Sequence, residues 1–261
     1  MSMTTPRTLT VITGATGGIG SAVARRLAGE EHALFLFGGR NAAGLAKLLK
    51  ELGAPGRNVD LTADEGREDL FGAFETWAQS YPLGEIDSIR FVFAAGADLM
   101  TPQMKSLPFD ARLRRAAEID LFAPIILARR FAAWRRGRRD GKPYDAVLFF
   151  GWDGAQRGME GETAQIYALT KGGLASFARS FAQDQGGSLR VLTISPGWIA
   201  TSWGKQASPA ANSRVERESL ARRWGTPEEA ADLAAFLLSD RARYLNAVEI
   251  PLNGGFSYRT D

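Results

Sequence analysis

The chain has 261 residues, 45% of them hydrophobic and 23% charged, with 29 glycines and 11 prolines. This composition is typical of a globular protein, and a chain of this length can bury a large core. There is no cysteine and one histidine, His32, which excludes disulfides, thiolate nucleophiles and metal sites built from cysteine or several histidines. A Ser-His-Asp hydrolase would have to use His32, which disfavours that class. We predict no bound metal.

The net charge is small, +3 from 32 basic and 29 acidic residues, and does not favour a nucleic-acid partner. Six arginines between 129 and 139 fit the solvated end of a helix, where cations are favoured. The first residues contain no long apolar stretch, and no apolar run reaches about 18 residues. We therefore expect a cytoplasmic protein that neither carries a signal peptide nor binds a membrane.

Apolar runs and helical patterns alternate along the chain. The predicted strands are 9–13, 33–37, 57–61, 89–95, 146–150, 189–194 and 247–252. Helices are predicted at 22–27, 41–52, 65–79, 109–136, 163–184 and 227–238. This alternation predicts an α/β protein with one doubly wound, Rossmann-type parallel sheet and helices on both faces, forming a single domain over 1–261. Polar residues and Pro209 interrupt the pattern at 202–224, which is either an excursion over the site or a mobile substrate lid.

Glycines 14, 18 and 20 lie between the first strand and the first helix. They allow a phosphate to approach the backbone at the positive end of a helix, which predicts a dinucleotide site. The second strand ends at Gly38-Gly39-Arg40-Asn41, where an acidic residue would select NAD. Because Arg40 can instead bind a 2′-phosphate, we predict NADP(H) as cofactor.

Tyr167 and Lys171 are four residues apart, on one face of a predicted helix. A lysine ammonium near a phenol favours the phenolate, so the tyrosine can exchange a proton at working pH.

Together these motifs resemble the short-chain dehydrogenase/reductase family, and the match runs in order from about residue 8 to 256. The motifs that carry it are the glycine turn, Asp60-Leu61-Thr62, Ala95-Gly96, Tyr167-x3-Lys171, the loop 195–201 and Asn253-Gly254-Gly255. The resemblance implies hydride transfer between a nicotinamide and a carbonyl or alcohol, with Tyr167 as the acid or base. The predicted cofactor contacts are Gly14, Thr16, Gly18, Ile19, Gly20, Arg40, Asn41, Asp60, Leu61, Ala94, Ala95, Gly96, Tyr167, Lys171, Pro196, Gly197, Ile199 and Thr201.

The chain departs from the family pattern at two chemically important positions. The family serine at the end of the fifth strand, which polarises the substrate carbonyl, aligns with Gly151, and the family asparagine aligns with Asp120. A serine in place of Gly151 is expected to be sterically tolerated. Asp153, Trp152 or a group on the substrate could replace the serine hydroxyl, so Asp120 and Asp153 join Tyr167 and Lys171 as candidate catalytic residues.

Several alternatives follow from these departures. Either redox chemistry persists, or the scaffold supports a lyase, cyclase or isomerase, or the protein is an NADP-binding regulator. Gly151, Trp152, Trp198 and Trp203 follow sheet ends and predict a pocket for a small apolar or aromatic metabolite. The resemblance and the long apolar helices at 109–136 and 163–184 predict a homodimer or homotetramer.

Overall fold

A computed structural model describes residues 6–29, 31–139, 144–202, 204 and 207–256. Trp203, one of the predicted substrate contacts, lies outside the described residues. Within the described part, no helix has both the length and the apolarity that a membrane span requires.

The strands form one parallel seven-stranded sheet in the order β3-β2-β1-β4-β5-β6-β7. They are β1 (Thr8–Thr13), β2 (His32–Gly38), β3 (Gly56–Asn58), β4 (Ser88–Phe93), β5 (Ala146–Phe150), β6 (Arg190–Pro196) and β7 (Val248–Leu252). The chain reverses its winding direction between β1 and β4, and ligands bind at the carboxyl ends of strands beside such a reversal. The predicted doubly wound α/β fold is confirmed.

Helices follow the strands and cover both faces of the sheet. They are α1 (Gly18–Leu27), α2 (Ala42–Leu52), α3 (Asp64–Gln79), α4 (Pro102–Lys105), α5 (Phe109–Ala116), α6 (Ala123–Arg135), α7 (Glu162–Gln185), α8 (Pro209–Glu218) and α9 (Pro227–Leu238). Helices α3, α6 and α7 contribute to a core rich in phenylalanine and tryptophan on one face. Helices α1, α2 and α9 contribute to a mainly aliphatic core on the other.

The structure corrects three predicted elements. The strand predicted at 57–61 ends at Asn58. The helix predicted at 109–136 is interrupted by a π-helical turn, Ala117–Phe122, which joins α5 to α6 and carries Asp120. Within 202–224, Pro209 does not break structure but begins α8, because the first turn of a helix needs no amide hydrogen at that position.

The arginines at the carboxyl end of α6 are not all solvated, in contrast to the prediction from the sequence. Arg135 and Arg139 are buried around the fully buried Asp145, whose carboxylate accepts hydrogen bonds from both guanidinium groups. Arg139 also donates to the backbone oxygens of Leu83 and Ile86. These arginines therefore hold the amino end of the sheet together from inside the protein.

Candidate active site

A cleft of about 1760 Å³ runs along the carboxyl ends of the strands. Its walls contain all the predicted cofactor contacts, together with Asp153 and the predicted substrate residues Gly151, Trp152 and Trp198. Asp120 does not line this cleft but is buried, with a side chain that is 0% exposed and contacts Lys171. Folding thus brings together residues that lie far apart in the sequence.

The glycine turn between β1 and α1 is packed too tightly for side chains. Gly14 has a φ of +67°, and a Cβ atom there would lie 2.4 Å from the backbone nitrogen of Ala95. At Gly18 a Cβ would lie 2.8 Å from Thr201 Cγ2, and at Gly20 it would lie 2.2 Å from the Gly14 oxygen. Helix α1 begins there without a side-chain cap, so its first amide groups are available to an anion.

Arg40 and Asn41 follow β2 at one end of the cleft. Arg40 is exposed, and a Cβ atom at the preceding Gly39 would meet no atom within 4 Å. The Asn41 side chain caps α2 by accepting a hydrogen bond from Gly44 N. Asp60 lies nearby and accepts from both the backbone and the hydroxyl of Thr62, and these hydrogen bonds lower the pKa of its carboxyl group. This end of the cleft therefore has open space beside an exposed guanidinium.

Tyr167 lies at the other end, on α7, and is half-buried. Its hydroxyl donates to the backbone oxygen of Ala97 at 2.8 Å and accepts from Leu99 N at 3.4 Å. Burial, and then the charge of Asp120, raise the pKa of Tyr167 above its ordinary value. The phenol is thus protonated at neutral pH and holds its proton against the loop after β4.

Lys171 lies one helical turn after Tyr167, and its ammonium group is 3.1 Å from Asp120 Oδ1. The same carboxylate oxygen accepts a hydrogen bond from Ala97 N. The other oxygen, Oδ2, has no hydrogen-bond partner within the described part of the chain. Burial raises the pKa of the Asp120 carboxyl, and the nearby Lys171 opposes this effect.

Gly151 lies close to side chains of the neighbouring strand β6. A Cβ atom at Gly151 would lie 2.5 Å from Ser195 Oγ, with Thr193 as its other near neighbour. Ser195 is buried and donates to Glu249 at 2.7 Å, which restricts how far it can move. A serine at position 151 would therefore require the Ser195 hydroxyl to turn away, and its steric tolerance stays a prediction.

The indole of Trp152 is the aromatic group that reaches Tyr167 from the end of β5. Their ring centroids are 6.2 Å apart. A Cβ atom at Gly154 would lie 2.3 Å from the Trp152 ring, so the glycine lets the indole lie against the turn. A large apolar side chain therefore stands beside the tyrosine.

Asp153 lines the cleft but is already paired. Its Oδ2 atom accepts from Arg157 at 2.7 Å and from Asn253 Nδ2 at 3.0 Å. The carboxylate thus connects the loop after β5 to the loop after β7. Positioning a substrate would require Asp153 to exchange one of these partners.

Trp198 contacts the part of the chain that precedes α9. Its indole nitrogen donates to Glu218 at 3.1 Å. Its ring packs edge-on against the ring of Trp224, with 5.5 Å between the ring centroids. Ala210, Ala211 and Arg214 of α8 also line the cleft. Helix α8 therefore forms one wall of the site.

Two further features of the cleft are not predicted from the sequence. One is the ion pair between Arg112 on α5 and Glu162 at the start of α7, and the other is the contact of Asn253 with Asp153. Asn253 belongs to a recognised motif, which is a signal that could have placed it in the site. Arg112 and Glu162 carry no such signal, because their pairing depends on how α5 crosses α7.

A seven-stranded parallel sheet with a glycine-lined cleft and a tyrosine-lysine pair defines a nucleotide-binding oxidoreductase fold. A family model described as "Enoyl-(Acyl carrier protein) reductase" matches residues 14–257. The chain belongs to the short-chain dehydrogenase/reductase family.

Similar sequences include oxidoreductases, and similar solved structures share the fold. The chain is 26% identical to "Uncharacterized oxidoreductase YmfI" of Bacillus subtilis, over 94% of this chain and 97% of that protein. It is 28% identical to "3-oxoacyl-[acyl-carrier-protein] reductase MabA" of Mycobacterium tuberculosis, over 94% of this chain and 91% of that one. The fold resembles 4-hydroxyisoleucine dehydrogenase complexed with NADH, with a TM-score of 0.81, 22% identity, and coverage of 95% and 98%. It also resembles BdcA in complex with NADPH, with a TM-score of 0.75, 20% identity, and coverage of 97% and 96%.

Proposed function

We propose that this oxidoreductase is an NADP(H)-dependent enzyme that transfers a hydride between the nicotinamide and a carbonyl or alcohol of a small apolar or aromatic metabolite. The observation that carries the proposal is the cleft itself. It extends from an open, arginine-bearing end at Arg40 to a protonated tyrosine at Tyr167.

The residues present fit a dinucleotide. The glycine turn leaves space that side chains would fill, and α1 offers uncapped amide groups to a pyrophosphate. Gly39 leaves room beside Arg40 for a 2′-phosphate, which a guanidinium can bind through two hydrogen bonds. When bound and reduced, the cofactor supplies a hydride to the carbonyl carbon of the substrate.

The chain's own contribution is to place and hold a proton. Tyr167 donates its phenolic proton to the substrate oxygen as the C=O π bond is broken, and it then recovers a proton from solvent. To do so, its hydroxyl exchanges the oxygen of Ala97 for that of the substrate. Lys171 orients the cofactor ribose, as the family resemblance implies.

We also propose that the site is atypical, with no serine hydroxyl at the end of β5. Trp152 takes the place beside Tyr167, which favours a flat apolar or aromatic group on the substrate. Met100, Met159 and Phe256 also line the cleft. Helix α8, within the predicted substrate segment 202–224, contributes residues to the cleft wall. We propose that residues 1–261 form one domain.

The test is to supply NADPH with aromatic ketones, aldehydes and 3-oxoacyl thioesters, and to follow NADPH absorbance and product together. We expect one NADPH to be consumed for each alcohol formed. Product without a net change in NADPH, and without deuterium from labelled NADPH, would contradict the proposal and favour a lyase, cyclase or isomerase. Tight NADPH binding without any turnover would favour a regulatory protein.

Arg40→Ala tests the cofactor preference. A charge-assisted contact to phosphate contributes roughly 1.5 to 3 kcal/mol, so the affinity for NADPH should fall by about 10- to 150-fold. The affinity for NADH should stay nearly unchanged, because NADH has no 2′-phosphate. Titrating each reduced cofactor by fluorescence measures both values.

A matched control is Arg57→Ala. Arg57 lies on β3, the neighbour of β2, but pairs with Asp69 outside the cleft. Neither cofactor should bind this variant differently. Equal wild-type affinities for NADPH and NADH would contradict the preference for NADP(H).

We propose that the protein is a homodimer or homotetramer. Supporting this, Leu169 on α7 is 55% exposed and Phe122, just before α6, is 46% exposed. Sedimentation at micromolar concentration should show an oligomer, and Leu169→Glu should reduce its mass because a charge would be buried at the contact. Leu220→Glu is the control, since Leu220 is 64% exposed outside these helices and should leave the mass unchanged. A monomeric wild type would overturn the proposal.

A further inference from the structure

We propose that Asp120 is a positioning residue that neutralises Lys171 and so keeps the proton on Tyr167, which suits the site to donate a proton to a carbonyl oxygen rather than to take one from an alcohol. The inference rests on the proposed function for its catalytic meaning. Its structural basis is the buried contact between Asp120 and Lys171.

Only one oxygen atom of the Asp120 carboxylate makes polar contacts within the described residues. Asp120 Oδ1 receives both Lys171 Nζ at 3.1 Å and Ala97 N at 3.0 Å, while Oδ2 has no partner in the described structure. The Asp120 side chain is 0% exposed, and that of Lys171 is 11% exposed. With so little water to screen it, the carboxylate acts on its neighbours more strongly than a surface group would.

The π-helical turn explains why Asp120 reaches this place. The turn inserts extra backbone between α5 and α6, and such turns are frequent at functional sites. Gly96 packs closely against Asp120 and Lys171. A Cβ atom at Gly96 would lie 3.3 Å from Asp120 Oδ1 and 3.9 Å from Lys171 Nζ. The loop after β4 therefore lies directly against the pair.

Ala97 connects the pair to Tyr167. Its amide donates to Asp120, and its carbonyl oxygen accepts from the Tyr167 hydroxyl. The tyrosine therefore lies within reach of both charges. Whether the shared proton is on Asp120 or on Lys171, the pair has no net charge, so Lys171 does not stabilise a phenolate as a lone cation would.

The other charged groups near Tyr167 do not offset the neutralisation of Lys171 by Asp120. Asp98, on the loop after β4, raises the pKa of the phenol further. Apart from Arg40 and Asp60 at the other end, the remaining charged residues that line the cleft are three ion pairs and three further side chains, namely Arg112–Glu162, Asp153–Arg157, Arg214–Glu218, Lys105, Arg115 and Glu160. The environment of Tyr167 thus favours the neutral phenol.

Asp120→Asn removes the negative charge of the pair while preserving the shape of the side chain. The amide oxygen can still accept from Ala97 N, but Lys171 becomes an uncompensated cation beside the phenol. We expect the pKa of Tyr167 to fall by about 1 to 3 pH units, since a nearby charge shifts a pKa by this amount. The rate of carbonyl reduction should then decline at correspondingly lower pH, and alcohol oxidation should gain at neutral pH.

The experiment is an alkaline titration of phenolate absorbance without substrate or cofactor. Subtracting the titration of Tyr167→Phe in the same background isolates this tyrosine from the other four. In the wild type, Tyr167 should stay more than half protonated at about pH 10, the ordinary pKa of tyrosine. Asp98→Asn is the matched control, because Asp98 is exposed, and it should shift the titration by less than about half a pH unit.

The proposal is overturned if wild-type Tyr167 titrates below about pH 10, if Asp120→Asn leaves its titration unchanged, or if Asp98→Asn shifts it as much. Should Asp120→Asn fail to fold by circular dichroism, the wild-type titration decides alone. The double variant Asp120→Asn, Lys171→Met should restore a titration close to wild type, because it removes both charges. Since none of these measurements needs turnover, a failure of the proposed reaction would be seen separately.

Discussion

Tyr167→Phe is expected to lower the turnover of carbonyl reduction by about 10²- to 10⁴-fold, the usual contribution of a positioned general acid. The phenyl ring keeps its packing near Trp152 and loses only the hydroxyl, whose partners in the structure are Ala97 and Leu99. NADPH should therefore bind almost as tightly as to the wild type. Steady-state kinetics together with a fluorescence titration of NADPH separates the two effects.

Two further variants test whether the effect of Tyr167→Phe is specific to its hydroxyl group. Tyr81→Phe removes a hydroxyl from a tyrosine that packs on Trp77, away from the cleft, and should leave kcat unchanged. Lys171→Ala should weaken both turnover and NADPH binding, because the lysine is expected to contact the cofactor as well as Tyr167. If Tyr167→Phe kept more than half of the wild-type kcat, the phenol would not be the proton donor.

Asp145→Asn is expected to destabilise the fold by about 3 to 5 kcal/mol, because it removes a buried carboxylate charge that two buried guanidinium groups contact. The side chains of Asp145 and Arg139 are both 0% exposed, and that of Arg135 is 5% exposed. Asparagine can still accept the hydrogen bond from Ile89 N, so the change isolates the lost charge. Urea unfolding followed by circular dichroism measures the difference in the free energy of unfolding.

Asp87→Asn provides the surface comparison. Asp87 pairs with Arg7, but their side chains are 43% and 64% exposed, so the loss should be below about 1 kcal/mol. An Asp145→Asn protein within about 1 kcal/mol of the wild type would show that the buried cluster does not depend on its carboxylate charge.

Residue types and spacing alone were enough to predict the class of fold. These predictions depend on local sequence patterns: the alternation of strands and helices, the glycines at 14, 18 and 20, and the spacing of Tyr167 and Lys171. Local periodicity survives folding because a strand or helix presents the same face that its sequence encodes. For the same reason β5 was placed at its observed bounds, 146–150.

Contacts between elements distant in sequence could not be predicted in this way. The family serine aligns with Gly151, yet the Cβ direction at this glycine leads to Ser195 on the neighbouring strand, and Trp152 lies beside Tyr167. Arg139 looked like a solvated helix end until its partner Asp145 and the carbonyl oxygens of Leu83 and Ile86 were in place. Local patterns and the family motifs are sufficient to predict the sheet, the glycine-lined cleft and the tyrosine-lysine pair. Only the packing of the π-helical turn against α7 decided that Asp120 meets Lys171, because side-chain direction and burial depend on neighbours that no local pattern encodes.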